Sequence, residues 1–393
     1  MTNEAAALDG VLVADFTRVL AGPYATMLLA DLGAEVMKVE RPDGGDDTRA
    51  WGPPYAADGE ATYFLAVNRN KSSVTLDLRT EEGREAAQAL AARADVLVEN
   101  FRTGAMERLG LGYETLRQRN PGLVYCSITG FGSGAGAALP GYDLLVQAVG
   151  GLMSITGPEP GQPTKAGVAL VDVITGLHAS VGILAALRHR ERTGQGQHVE
   201  VNLLSSLLSA LANQASAHLG AGVVPGILGN RHPSIAPYEV FPTADRPLVL
   251  AVGNDRQFAS LVTILGRPEL AADPRFATNA ERVSNRDELT AILTDELRRR
   301  GADEWFDVLV GASVPAGPIN DVAEAFTLAE RLGLDPSVEL GRPGESTRVR
   351  QVANPIRLSG TPPRYHKAPP RLGEEDPENR TVALPTGEPA HLA

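Results

Sequence analysis

GVLVADFTRVLAGPYATMLLADLGAEVMKVE, residues 10–40, decides the fold. GVLVADF (10–16) is a compact strand candidate. PYATMLLADLG (23–33) follows as a helix, with Pro23 in its first turn and Gly33 at its end. EVMKVE (35–40) is the next strand, and the alternation then continues. KSSVTLDL (71–78) reads as a strand, and TEEGREAAQALAARA (80–94) as a helix opened by Thr80 with acidic residues in its first turn. DVLVENF (95–101), a helix near ETLRQRN (114–120) and LVYCSITGFG (123–132) complete the pattern. Strands alternating with helices mean βαβ units and an α/β fold, with helices on the faces of a parallel sheet. Ligands bind such sheets beyond the carboxyl ends of the strands. Arg18, Arg41, Asn100 and Phe101 all fall at or just after such ends.

A second stretch, VALVDVITGLHASVGILAALRHRE (168–191), places one carboxylate, Asp172, between two apolar runs. Val168–Val171 read as the end of a buried strand. From about Thr175 the apolar positions Leu177, Val181, Ile183, Leu184 and Leu187 keep helical spacing. Asp172 is either a helix N-cap, accepting hydrogen bonds from the free N–H groups of the first turn, or a nucleophile or general base at a strand-to-helix junction. Further on, HVEVNL reads as a strand and SSLLSALANQASAHLG as one helix. RPLVLAVGN and the helices around RQFASLVTILG and RDELTAILTDELRRRG suggest a smaller α/β unit. The tail from about 366, rich in Pro, Glu and Gly, reads as extended on the surface or partly disordered.

The 393 residues suffice for two or three domains and a sizeable core. Hydrophobic residues at 43% and charged residues at 21% are ordinary for a soluble globular chain. A net charge of −12 with no Lys/Arg-rich run argues against a nucleic-acid partner. Cys126 is the single cysteine, so neither an intrachain disulfide nor a Cys-based zinc site can form. The amino terminus lacks the basic-then-apolar order of a secretory signal. No stretch reads as the ~20 apolar residues of a membrane span. The expectation is a cytoplasmic protein with no membrane partner. GFGSGAG (130–136) departs from the dinucleotide fingerprint, and no P-loop, H-E-x-x-H or G-x-S-x-G is present, so metal catalysis and a nicotinamide dehydrogenase have no positive support. Arg18, Lys38, Arg41, Arg49, Lys71, Arg79, Arg102 and Arg108 all sit in the first 110 residues. Together they could bind phosphates.

Segments in the same order over roughly residues 8–372 resemble the family III CoA-transferases, the CaiB/BaiF group that includes formyl-CoA transferase and succinyl-CoA-dependent enzymes. They are RVLAGPYATMLLADLGAEVMKVERPDGGDDTR (18–49), NRNKSSVTLDL (68–78), DVLVENFRTGAMERLG (95–110), GYDLLVQAVGGLMSITG (141–157), VDVITGLHASVGILAALRHRERTGQGQHVEV (171–201), GNRHPSIAPYEVF (229–241) and VPAGPIN (314–320). The resemblance implies a Rossmann-like large domain over 1–210, rejoined by about 330–393, and a small α/β domain over 225–325. It also implies a ring-shaped subunit in an interlocked homodimer. The family's catalytic aspartate falls on Asp172. That residue would carry CoA from an acyl-CoA donor to a carboxylic-acid acceptor by way of a mixed anhydride and an aspartyl-CoA thioester.

Coenzyme A is thus implied as part of the substrate, with no tightly bound cofactor. Its contacts carry over onto Val19, Arg41, Leu76, Arg79, Asn100, Phe101 and Arg108. Leu20 stands where formyl-CoA transferase has a glutamine near the reacting acyl group. Racemases of this fold carry a glycine–histidine–aspartate triplet whose histidine shuttles a proton. Here the triplet is Gly141, Tyr142 and Asp143, and a tyrosine with a pKa of about 10 shuttles poorly. Asp143 either lines the site or caps the helix that follows it. A transferase is therefore expected. An α-methylacyl-CoA racemase or epimerase is the alternative, and a non-catalytic CoA-binding protein the third reading.

Overall fold

The structure is a computed structural model that describes residues 5–342 and 348–376. It divides into two compact units. The first comprises Met1–Leu152, Ala166–Gly222 and Asp335–Ala393, and the second Met153–Lys165 with Val223–Leu334.

The first unit is built on six parallel strands: β1 (Leu12–Asp15), β2 (Glu35–Glu40), β3 (Lys71–Thr75), β4 (Val96–Glu99), β5 (Val124–Thr129) and β6 (His198–Asn202). Their order is β3-β2-β1-β4-β5-β6, so the sheet grows one way from β1 and then the other from β4. Its helices are α1 (Ala21–Asp31), α2 (Thr62–Leu65), α3 (Glu81–Arg93), α4 (Ala105–Arg108), α5 (Tyr113–Arg119), α6 (Asp143–Val149), α7 (Leu152–Ile155, shared with the second unit), α8 (Leu170–Thr193), α9 (Leu203–Ala210) and α10 (Ala212–Ala221).

Alternation along the strands serves two cores. Val13, Val96, Val98, Val124 and Cys126 pack with Ala25 and Leu29 of α1 and Ala179 and Ile183 of α8. Ala14, Leu97 and Tyr125 face the other way, onto Ala87 and Ala91 of α3 and Leu116 of α5. Each fully buried aliphatic side chain contributes about 1.5–3 kcal/mol. Local signals set the helix ends: the Gly83 N–H donates to Thr80 Oγ1 at 3.0 Å, as the sequence reading of that helix requires.

Four expectations need correction here. Val168–Val171 form no strand, because α8 begins at Leu170 and Val168 is exposed. SSLLSALANQASAHLG is two helices that break at Leu211. The 24-residue α8 is long and apolar enough to cross a membrane, although no such stretch was expected, and its Val171, Thr175, Ala179, Ile183 and Ala186 are buried in the core. The tail does not lie loose as far as Asp376. The Glu375 N–H donates to the Ser73 carbonyl at 2.9 Å, Gly373 N–H to Ser73 Oγ at 3.1 Å, and Thr75 N–H to Asp376 Oδ1 at 2.8 Å. Residues 377–393 of that tail lie outside the described residues.

The second unit pairs β7 (Tyr238–Phe241), β8 (Leu248–Ala251) and β9 (Ala316–Pro318) antiparallel. Its helices are α11 (Asp255–Ile264), α12 (Asn279–Ser284), α13 (Arg286–Leu297), α14 (Ala302–Gly311) and α15 (Val322–Arg331). Phe241, Leu250, Phe258, Leu261, Leu293 and Trp305 form its core. Back in the first unit, β10 (Ser337–Gly341) and β11 (Arg348–Val352) make an antiparallel pair.

Candidate active site

A cleft of about 400 Å³ lies at the carboxyl ends of β3, β2, β1 and β4, and so includes the point between β1 and β4 where the strand order reverses and α/β sheets take their ligands. Arg18, Arg41, Leu76, Arg79 and Phe101 line it, with the acidic side chains of Glu40, Asp43 and Asp77. The Arg18 guanidinium sits 4.9 Å from the Phe101 ring centroid. Burial and the neighbouring Arg41 charge pull it below its usual range. Arg41 is paired with Asp47 at 2.5 Å, and Arg79 with Asp77 at 2.8 Å. Both pairs lie at the surface, where solvent screens an ion pair and leaves it weak.

The turn between β1 and α1 forms one wall. The Asn100 carboxamide clips it to the end of β4: its Oδ1 accepts from the Arg18 N–H at 2.9 Å and its Nδ2 donates to the Arg18 carbonyl at 2.8 Å. Val19 then adopts a left-handed φ of 69°. For a β-branched residue that conformation costs of order 1–3 kcal/mol and has to be held by its surroundings.

Buried charges do the holding. Lys38, with no exposed side-chain surface, donates to the Thr17 carbonyl and to Asp46 Oδ2, both at 2.9 Å. Asp46 Oδ1 accepts from the Val19 N–H at 3.3 Å and the Thr48 N–H at 3.0 Å. Beside this pair, Lys71 donates to Asp15 Oδ2 at 3.0 Å, and Asp15 Oδ1 accepts from the Thr17 N–H at 2.9 Å. Burial alone pushes the Asp15 carboxyl up, but the Lys71 and Lys38 charges outweigh it and bring it to about 2. Burial draws Lys71 down to about 8. Arg49 makes a third pair with Glu40 at 2.7 Å. Lys38, Arg49 and Lys71 are therefore structural cations, not the phosphate ligands that their place in the sequence suggested.

Asp172 lies in the first turn of α8 but does not cap it. The N-cap position is Ala169, and it makes no side-chain cap. The cap comes from α6: Asp143 Oδ1 accepts from the N–H groups of Val171 at 2.8 Å and Asp172 at 3.2 Å. So Asp143, in the first turn of its own helix, caps a different one 28 residues away. Gln147 fixes it by donating to Asp143 Oδ2 at 2.5 Å while accepting from the Ala166 N–H at 2.9 Å. Burial, reinforced by the Asp143 charge, lifts the Asp172 carboxyl from 3.8 to about 7. The Tyr63 phenol is raised as well, first by burial and then by the charges of Asp172, Asp143 and Asp46.

The structure thus brings Arg41, Leu76, Arg79 and Phe101 into one cleft. Val19 and Asn100 belong to the turn at its wall, and Leu20 is the N-cap residue of α1. Arg108 ends α4 on the exposed surface, next to the lining residue Leu109. Tyr142 is 64% exposed and precedes α6. Asp172 does not line the cleft. One turn along α8, its helix packs on α1 at Gly176, where a Cβ would stand 2.6 Å from the Ala21 carbonyl oxygen. Arg18, which the sequence placed after β1 and among the cations that together could bind phosphates but which the resemblance left out of the CoA contacts, also lines the cleft. Tyr63 and Gln147 carried no signal in the sequence. Among the described residues no cluster of His, Cys, Asp and Glu could hold a metal ion.

Comparison with known proteins accords with this arrangement. The family described as CoA-transferase family III matches residues 8–376. The chain is 47% identical over 384 residues to a succinate–glutarate CoA-transferase of Agrobacterium fabrum, covering 95% of each chain. It is 42% identical to an acetyl-CoA:oxalate CoA-transferase of Acetobacter aceti, covering 93% of each. A crystal structure of a CaiB/BaiF family protein from Brucella suis superposes with a TM-score of 0.84 at 45% identity, over 95% of this chain and 98% of that one. The chain's own mixed α/β architecture with a six-stranded parallel sheet is the expected fold class. The chain belongs to CoA-transferase family III and is an enzyme of that family.

Proposed function

We propose that the protein transfers CoA from an acyl-CoA thioester to a small dicarboxylic acid through covalent intermediates on Asp172. The Asp172 carboxylate attacks the thioester carbonyl. The C–S bond breaks, CoA leaves as its thiolate, and a mixed anhydride remains. The thiolate attacks the Asp172 carbonyl, giving an aspartyl-CoA thioester and releasing the donor acid. The acceptor carboxylate then reverses both steps and departs as its CoA ester, regenerating Asp172.

The observation that carries this reading is the Asp172 carboxyl itself. It is partly buried, raised to about 7, and fixed in place because Asp143 grips its own N–H. A poorly solvated carboxylate of raised basicity is the stronger nucleophile, and exclusion of water protects the anhydride. Arg18, Arg41 and Arg79 suit the phosphates of CoA, with Leu76 and Phe101 against its adenine or pantetheine. Succinate and glutarate are the first acids to test, because the relative at 47% identity is named for them. The racemase alternative is not favoured: both relatives above are transferases, and exposed Tyr142 stands where that chemistry uses a histidine.

The larger unit would carry the chemistry and the smaller one complete the subunit. Assembly as an interlocked homodimer of ring-shaped subunits is part of this reading. It is supported by the apolar Leu177, Val181 and Leu184 that α8 leaves exposed, and light scattering of the purified protein tests it. The decisive experiment on mechanism is intact-protein mass spectrometry after mixing with succinyl-CoA and other acyl-CoA thioesters, followed by hydroxylamine trapping. The expected result is a CoA-sized adduct that Asp172→Ala abolishes and glutarate or another acid discharges. CoA transfer that persists in Asp172→Ala would refute the assignment.

A further inference from the structure

We infer that Lys38 and Asp46 are positioning residues for the transfer: their buried ion pair holds the Thr17–Val19 turn in the conformation that aligns the thioester with Asp172. This rests on the reading above and concerns two side chains that the proposed chemistry does not use.

Five successive backbone polar groups of this turn are bound by side chains. They are the N–H and carbonyl of Thr17, the N–H and carbonyl of Arg18, and the N–H of Val19, held by Asp15, Lys38, Asn100 and Asp46. Side chains normally make a minority of such bonds, because strand and helix partners satisfy most backbone groups. The turn is also strained, since Val19 takes a left-handed φ that glycine would adopt without steric cost. A backbone so costly and so heavily tethered marks a place where position matters.

The Lys38–Asp46 pair supports the same conclusion from its energetics. Replacing a buried ion pair by apolar residues is often neutral or stabilising, so stability alone is a weak reason to bury one. Here both charges reach the turn, Lys38 at the Thr17 carbonyl and Asp46 at the Val19 N–H, while Asp46 Oδ1 also accepts from the Thr48 N–H and hydroxyl. The turn leads straight into α1, whose Ala21 carbonyl packs against Gly176, one helical turn beyond Asp172. A shift of the turn is therefore passed to the reacting end of the site.

The test is a double-mutant cycle between Asp46→Asn and Val19→Gly. Asp46→Asn preserves shape and an acceptor oxygen but leaves Lys38 without its counter-ion. It is expected to lower kcat about 100-fold, the scale of a ~1 Å misplacement, while the Kd for free CoA changes less than about threefold. Val19→Gly allows residue 19 its left-handed φ without strain. In that background the kcat lost to Asp46→Asn should recover at least about tenfold. An equal loss of kcat in both backgrounds overturns the inference, as does a lowered Tm with wild-type kcat. The transferase reading is scored separately, by whether the wild type forms the Asp172 adduct. If it does not, amide exchange of the 16–22 segment still decides the tether. Asp46→Asn accelerates that exchange at least about tenfold if the pair holds the turn, and leaves it unchanged if the inference is wrong.

Discussion

Replacing Asp172 by asparagine should stabilise the protein, and more so as pH rises. The carboxyl is raised in the fold from 3.8 to about 7, so its ionised form is disfavoured there relative to the unfolded chain. Stability is therefore lost as pH climbs through the window between those two values. At ~1.4 kcal/mol per unit, the loss is about 2 kcal/mol at pH 5 and about 4 kcal/mol at pH 8. Partial exposure of the side chain trims both figures. An isosteric amide has no charge to desolvate and escapes the loss. With an unfolding entropy of ~2.1 cal/mol/K per residue over a chain of this length, 1 kcal/mol moves Tm by about 1 °C. Differential scanning calorimetry of the two proteins at one scan rate should show the variant melting about 2 °C higher at pH 5 and about 4–5 °C higher at pH 8. A gap that stays the same across that range would mean Asp172 titrates normally in the fold, and the case for a desolvated nucleophile would fail.

Asp143→Asn removes the negative neighbour of Asp172, so the acidic limb of kcat/KM, which rises as the nucleophile ionises, should move to lower pH; a limb fixed in place would show that Asp143 has no electrostatic part. The same substitution sets an amide against Gln147 Nε2 and should lower kcat as well. Arg79→Ala should raise KM for acyl-CoA about tenfold with kcat nearly unchanged, and by less at high salt, as steady-state kinetics at two ionic strengths would reveal. Gly176→Ala places a Cβ 2.6 Å from the Ala21 carbonyl oxygen; overpacking of ~1–3 kcal/mol should lower Tm by about 1–4 °C, and an unchanged Tm would show that the α1–α8 contact yields freely. Lys71→Met leaves Asp15 buried without its partner and should cost about 3–5 kcal/mol in urea unfolding, although Lys71 does not line the cleft.

What was legible in the sequence was local. Thr80 with its acidic first turn, the apolar runs of β1 and β4, and the place of Arg41, Asn100 and Phe101 after strands all rest on neighbours a few residues away. The start of α8 did not. Val168–Val171 look like strand, with Asp172 as a cap or a reactive group, until Asp143 arrives from α6 and takes the N–H groups of Val171 and Asp172. A long-range cap overrides local preference, and no window along the chain contains it. Lys38 and Lys71 misled for the opposite reason. A charged residue reads as surface unless its partner is known: Asp15 becomes the partner of Lys71 only when β1, β2 and β3 lie side by side, and Asp46, eight residues beyond Lys38, becomes its partner only through the path of the loop after β2. At Asp172 residue-by-residue physics left two readings open, and only the family resemblance favoured one of them.

The segment around Glu375 has one further effect, on how the chain comes together. β3 is an outermost strand, and an uncovered strand edge invites pairing with other chains. Its guard is Gly373–Asp376, about 300 positions later, bonded to Ser73 and Thr75. A ribosome that has completed the six-stranded sheet at Asn202 has yet to make the guard. Throughout the synthesis of the second unit the nascent protein carries a bare edge. Chains halted short of residue 373 should therefore seek each other out, and a short peptide matching 366–376 should keep them apart.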